Sequence, residues 1–160
     1  MRKVIVNSTP LIALCKVNQL DLLRRIYGEI TVPKAVFEEV TKKNDLVRKE
    51  VTVASWIHIE AVQDTKAKRM YRAKLHDGEV EVMILAQEYE GEHLVVIDDN
   101  AARKTAQFLG LTLTGTLGVL IKAKELGLID SVMPIVGRME ENEIYFSDSL
   151  KARVKRLSRE

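Results

Sequence analysis

The sequence predicts an α/β protein with three layers, α/β/α, built around a central and mostly parallel sheet. Short apolar segments that resemble buried strands alternate along the chain with amphipathic helical segments. The clearest strand is residues 94–97, four consecutive apolar residues of the kind that is buried on both faces of a sheet. Asp98 and Asp99 follow directly, at the carboxyl end of a strand, where open parallel sheets bind their ligands.

The first half of the chain begins with a strand over residues 3–6 and then alternates helices with strands. Pro10 is typical of the first turn of a helix, and Ser8 or Thr9 is the expected cap. Gly28 is a typical helix stop. The other predicted strands of this half are residues 29–32 and an edge strand at 56–62. The other predicted helices are residues 20–26, a helix that begins at Pro33, a segment within residues 41–54, a basic helix at 66–75 and a buried helix at 79–88.

The second half continues the same alternation. A helix begins near Ala101, residues 111–113 form another strand, and a helix over residues 117–126 ends at Gly127. The remaining predicted elements are a helix within residues 132–139, a short extended piece at 145–147 and a final helix, capped by Asp148, that carries Lys151, Arg153, Lys155, Arg156 and Arg159.

The composition limits the classes of protein to which this chain can belong. A chain of 160 residues with 46% hydrophobic residues predicts one domain over residues 1–160. A net charge of +2 neither indicates nor excludes a nucleic-acid partner, since the distribution of charge decides that. Cys15 is the only cysteine, which excludes an internal disulfide and a zinc site built on cysteines. We expect no membrane segment and a cytoplasmic location, because neither a long apolar run nor a secretory signal is present.

Several acidic residues are predicted to converge at one edge of the sheet. Asn7 ends the first predicted strand, and Asp98 and Asp99 end a later one. Glu79 begins the helix that leads into that later strand, and Glu39 lies on the helix after Pro33. Carboxylates repel each other in one crevice unless a cation balances them, and oxygen ligands of this kind suit Mg²⁺ or Mn²⁺. Such ions support phosphodiester displacement.

Five motifs in order along the chain resemble those of the PIN domain, the fold of many small ribonucleases, including VapC-type toxins. The opening motif is N-S-T-P-L-I-A-L at residues 7–14, and V-P-K-A-V-F-E-E-V follows at 32–40. The acidic motifs are D-G-E-V-E-V at 77–82 and V-I-D-D-N-A-A-R at 96–103. G-T-L-G-V-L at 115–120 resembles a prokaryotic PIN subgroup. The resemblance covers residues 3 to about 150.

The resemblance implies a metal-dependent ribonuclease and assigns roles by position. It places the metal at Asn7, Glu39, Glu79 and Asp99, with Asp98 able to take or share the role of Asp99, and it makes the four carboxylates the catalytic residues. It further implies an RNA substrate, a homodimer and, for a toxin, an antitoxin protein as partner. The residues expected to orient the site or the substrate are Ser8, Thr9, Arg103 and Thr116.

Asn7 departs from the family pattern, which has an aspartate at this position. An amide oxygen can ligate a cation but carries no charge, so a lower metal affinity is expected. The alternative hypothesis is therefore a PIN-like module without catalysis, which binds RNA or a protein through residues 66–74 or the helix at 151–159. A more distant alternative, a phosphatase or nucleotide-binding protein, is disfavoured because the chain has no glycine-rich phosphate loop.

Each candidate residue also has an ordinary structural explanation. Glu79 suits a helix N-terminus, Asp98 or Asp99 suits a helix cap, and Thr116 suits a cap as well. Arg103 could pair with Asp99 rather than with a phosphate. Glu39, beside Glu38, could simply be solvated on an exposed helix face.

Overall fold

The computed structural model describes residues 2–72 and 75–160 and contains, within them, a five-stranded parallel sheet flanked by helices. The strand order is β3-β2-β1-β4-β5. All four neighbouring pairs are parallel, which confirms the predicted α/β class and its three-layer α/β/α arrangement. The strands are β1 (Lys3–Val6), β2 (Ile30–Pro33), β3 (Ile57–Glu60), β4 (His93–Val96) and β5 (Leu113–Thr114).

Helices connect the strands, as parallel neighbours require, because no tight turn can return the chain to the same edge of the sheet. Glycines with positive φ follow α2 and α8, at Gly28 and Gly127, as predicted. The helices are α1 (Ser8–Lys16), α2 (Asp21–Tyr27), α3 (Lys34–Val40), α4 (Leu46–Val53), α5 (Ala67–Tyr71), α6 (Asp77–Glu88), α7 (Asn100–Phe108), α8 (Thr116–Glu125), α9 (Met133–Glu141) and α10 (Asp148–Leu157).

The two central strands form the middle of the hydrophobic core. Val4, Ile5 and Val6 of β1 are buried, and so are residues 94–97 in and just after β4. Helix α6 is buried almost all round, from Gly78 to Ala86, because it packs against α3 and the sheet. No helix in the described ranges is long and apolar enough to cross a bilayer.

Three predictions about element ends were wrong. Helix α1 starts at Ser8 with Asn7 as the cap residue, because a proline, which lacks an N–H, is tolerated anywhere in the first turn and so does not fix the start. Ser147, not Asp148, caps α10: its Oγ accepts the N–H of Leu150 at 3.2 Å. The last strand lies at Leu113–Thr114 rather than at 111–113. Residues 145–147, predicted as a short extended piece, lie in neither a helix nor a strand.

The predicted basic helix over residues 66–75 is shorter in the structure. Helix α5 ends at Tyr71, and Lys74 lies outside the described residues.

Candidate active site

The strand order places the ends of β1 and β4 side by side at the centre of the sheet. Val6 pairs with Val96, and the N–H of Asn7 donates to the carbonyl of Val96 at 3.0 Å. The direction of winding reverses between these two strands, so a crevice opens beyond their carboxyl ends. Asn7, Asp98 and Asp99 therefore lie at the switch point where such sheets bind ligands.

Asn7 brings a buried oxygen atom to this crevice. Its side chain is 2% exposed, and its Oδ1 has no hydrogen-bond partner in the part of the chain that the structure describes. A buried polar atom without a partner costs about 1–3 kcal/mol. Since α1 also receives no side-chain cap from Asn7, this oxygen is free for a ligand.

Gly78, in the first turn of α6, allows Glu39 and Asn7 to come close to each other. A Cβ atom at Gly78 would lie 3.2 Å from Glu39 Oε2 and 3.7 Å from Asn7 Oδ1. It would also lie 3.1 Å from Cγ2 of the buried Val36 on α3. The missing side chain thus keeps open the space that the carboxylate of α3 and the amide of β1 share.

Glu79 lies next to this space, with only 9% of its surface exposed. Burial raises the pKa of its carboxyl, the N–H of His76 lowers it through a 3.1 Å hydrogen bond to Oε2, and the negative charges of Asp99 and Glu39 raise it. The net effect is a raised pKa. The structure therefore brings two other predicted residues, Glu39 and Asp99, within electrostatic reach of Glu79, in a place that favours a cation.

Asp98 and Asp99 face different partners although they are adjacent. Asp99 Oδ2 accepts the N–H of Ala102 at 3.0 Å and caps α7, which occupies one of its oxygens. Asp98 accepts two hydrogen bonds from Thr116, from the backbone N–H at 2.8 Å and from Oγ1 at 2.5 Å. Burial raises the pKa of Asp98, against the lowering effect of these bonds and of the charge on Arg103.

Arg103 and Gly115 complete the surroundings of Asp98. The guanidinium of Arg103 donates to the carbonyl of Ile97 at 2.9 Å, and the described residues show no ion pair between Arg103 and Asp99, so that expectation was wrong. A Cβ at Gly115 would lie only 2.7 Å from Asp98 Oδ1. These contacts explain why the fifth motif begins with glycine and threonine: Gly115 leaves room for the Asp98 carboxylate, and Thr116 donates hydrogen bonds to it.

Glu81, which sequence reasoning passed over, holds α3 and α6 together. It is 4% exposed; Oε1 accepts the N–H of Ala35 at 2.8 Å, and Oε2 pairs with Lys68 at 2.5 Å. These contacts fix the helix that carries Glu39 against the helix that carries Glu79. The signal in the sequence was the second glutamate of D-G-E-V-E-V, on a helix that is otherwise apolar here.

The two small polar residues after Asn7 lie in different environments. Ser8 is 7% exposed and is the first residue of α1, directly after Asn7. Thr9 is exposed and lines a groove together with Asp98 and Arg103.

The donor set fits a hard divalent cation, although the carboxylates do not converge on one point. Among residues 2–72 and 75–160, no three His, Cys, Asp or Glu side chains are close enough to bind one ion directly. Mg²⁺ commonly keeps several water ligands and uses only one or two carboxylates, so Asn7 Oδ1 with two nearby carboxylates is sufficient. Mutual repulsion also spreads carboxylates apart without a cation.

Comparison with known proteins gives one result that bears on this site. A family model described as a PIN domain matches residues 3–160. None of the curated proteins matches the chain.

Proposed function

The chain belongs to the PIN-domain family, a nuclease-type fold, and from this premise we propose that it is a ribonuclease that requires Mg²⁺ or Mn²⁺. The observation that carries the proposal is the buried Oδ1 of Asn7, which has no partner among the described residues and lies beside Glu39. A burial cost of this kind is explained if the atom ligates a cation.

In this proposal Asn7, Glu39, Glu79 and Asp99 hold the ion, directly or through water. When bound, the ion supplies a Lewis acid for displacement at a phosphodiester. Glu79 and Asp99 each accept one backbone N–H, and these bonds orient the two carboxylates. Asp98, with both oxygens on Thr116, serves as a positioning residue that fixes the start of α8 against the end of β4.

The experiment is RNA cleavage by the purified chain. Single-stranded RNA is expected to be cleaved with Mg²⁺ or Mn²⁺ and to remain intact with EDTA. Asp99→Asn is expected to abolish cleavage, and because asparagine caps helices as well as aspartate, α7 stays capped. Asp130→Asn is the matched control, since Asp130 is exposed and follows the far end of α8. Cleavage that survives EDTA, or full activity of Asp99→Asn, contradicts the proposal.

A second candidate function is a PIN-like module that binds RNA or protein without cleaving it. Asn7 favours this alternative, because an amide leaves the centre one negative charge short of the aspartate that the family resemblance leads one to expect. The test is restoration of the charge. If the natural chain is inactive and Asn7→Asp creates metal-dependent cleavage, the natural chain is a binding module. If the natural chain already cleaves RNA, this alternative is wrong.

The proposal also covers the oligomeric state of the chain, its location and its biological role. We propose that residues 1–160 act as one domain, that the chain forms a cytoplasmic homodimer and that it is the toxin of a toxin–antitoxin pair. Light scattering on the purified chain tests the dimer. Growth arrest on expression, relieved by co-expression of a small adjacent gene product, tests the toxin role.

A further inference from the structure

A groove runs from the candidate active site between α8 and α10. It encloses about 650 Å³, within the range of about 300–1,000 Å³ that is usual for cavities that hold small ligands. Asp98, Arg103 and Thr9 line its end at the sheet. Residues 144–147 and one side of α10 line the other end. At the sheet, the groove therefore begins at Asp98 and Asn100, the two residues that flank Asp99 in the chain.

The far end of the groove offers a face for a planar ring. Tyr145 is 71% exposed, and Phe146 beside it is half-buried. Leu150 and Leu157 of α10 line the same groove and are 39% and 59% exposed. Aromatic side chains that stand free beside a groove are the usual platforms on which unpaired bases stack.

Helix α10 makes this wall of the groove positive. Lys151 pairs with Glu140 and Asp148, at 3.1 and 3.6 Å. Within residues 2–72 and 75–160 no carboxylate pairs with the other cations of this stretch, which are Arg153, Lys155 and Arg156 on the helix and Arg159 just after its end. Arg153 itself lines the groove. The free charge of Arg153 at this position complements a phosphate group of a nucleic-acid backbone.

We propose that the groove between α8 and α10 binds the single-stranded RNA segment next to the bond to be cleaved, with a base on Tyr145 and a phosphate on Arg153. The identity of the ligand as RNA rests on the proposed function. The acidic centre repels phosphates, so a strand that reaches it needs cations beside it. An acidic protein segment would satisfy Arg153 as well, but its carboxylates would be repelled at the other end of the groove, which Asp98 lines beside the acidic centre.

The test is binding of a short fluorescein-labelled oligouridylate to the full chain in EDTA, followed by fluorescence anisotropy. Tyr145→Ala is expected to weaken binding about tenfold, since stacking on one aromatic ring is worth about 1–3 kcal/mol. Arg153→Gln is expected to weaken binding and to reduce the slope of log K against log salt by about 0.7, the value for one phosphate contact with a single strand.

Matched controls lie elsewhere on the surface. Phe108→Ala removes an aromatic ring that is 89% exposed on α7 and does not line the groove. Lys155→Gln removes one charge from α10 at a position that does not line the groove. Both are expected to leave the affinity within about twofold of the natural chain, by the usual near-neutrality of surface substitutions. Thermal melts check that all four variants fold.

Three outcomes overturn the proposal. The first is an equal effect of Arg153→Gln and Lys155→Gln together with no effect of Tyr145→Ala. The second is equal binding of a duplex of the same length. The third is displacement of the RNA by poly-L-glutamate at equal charge concentration, which would assign the groove to an acidic protein segment. The binding assay contains EDTA and therefore does not depend on cleavage. If RNA binds through Tyr145 and Arg153 but is not cleaved when Mg²⁺ is added, the proposed function is wrong and the assignment of the groove still holds.

Discussion

Thr116→Val removes one hydroxyl group from the contact that ties α8 to the end of β4. The hydroxyl lies 2.5 Å from Asp98 Oδ2, and Thr116 is fully buried. Valine has nearly the same shape, so the change leaves a charged acceptor short of one donor without opening a cavity. Hydrogen bonds to charged groups are worth about 1.5–3 kcal/mol, and we expect a loss of about 2 kcal/mol in the free energy of unfolding.

Urea unfolding followed by circular dichroism measures this loss. The midpoint should fall while the slope stays constant, because the surface exposed on unfolding does not change. In a chain of this length about 2 kcal/mol also corresponds to a fall of about 4–8 °C in Tm.

Thr52→Val is the matched control. The Thr52 hydroxyl also makes one short bond, 2.6 Å to the carbonyl of Arg48, but it lies on the exposed side of α4. That change should stay within about 0.5 kcal/mol of the natural chain. If Thr116→Val costs no more than Thr52→Val, Asp98 does not depend on Thr116, and its description as a positioning residue is wrong.

Three further predictions concern the acidic centre and α9. Gly78→Ala places a Cβ 3.2 Å from Glu39 Oε2, so kcat/KM for RNA cleavage should fall about tenfold; unchanged kinetics would show that Glu39 need not stay in place. Burial alone would raise the pKa of Glu160, but two backbone N–H groups of α9 and the ammonium of Lys124 lower it to about 2. Its contribution to stability is therefore complete above about pH 4.5 and is lost as the pH falls through about 2. Glu160→Gln should thus lower the free energy of unfolding at neutral pH by about 1–2 kcal/mol and have little effect below pH 2; a constant difference across that range would contradict the pairing. Mg²⁺ at ten times its Kd should stabilise the natural chain by about 1.4 kcal/mol in thermal melts and should not stabilise Glu79→Gln; equal shifts would place the ion elsewhere.

The elements that the sequence predicts best are those with one dominant local signal. Four apolar residues before Asp98 predict β4 to within one residue, because only a central parallel strand buries both of its faces. Gly28 and Gly127 mark helix ends, since their positive φ values are available to glycine at no steric cost. Strand β5 has a weaker signal, as an edge strand of two half-buried residues does not require a strict apolar pattern.

The candidate site was only partly predictable, because its supports act between residues that are distant along the chain. The motifs predicted which carboxylates would be near Asn7. They did not predict that Gly78 keeps the space for Glu39 open, or that Glu81 fastens α3 to α6. The sequence also did not show that the adjacent Asp98 and Asp99 have different roles, because Asp98 differs from Asp99 through its hydrogen bonds to Thr116 at the distant start of α8.

The neutral amide of Asn7 affects how far the stability of the folded chain depends on a divalent cation. A fourth carboxylate in that buried position would add repulsion to the three of Glu39, Glu79 and Asp99 and would destabilise the folded chain in the absence of a cation. With a neutral side chain at this position, the three carboxylates do not gain that added repulsion. If the chain binds the proposed ion, the ion can bind after folding, and its free concentration then sets the fraction of folded molecules that carry it.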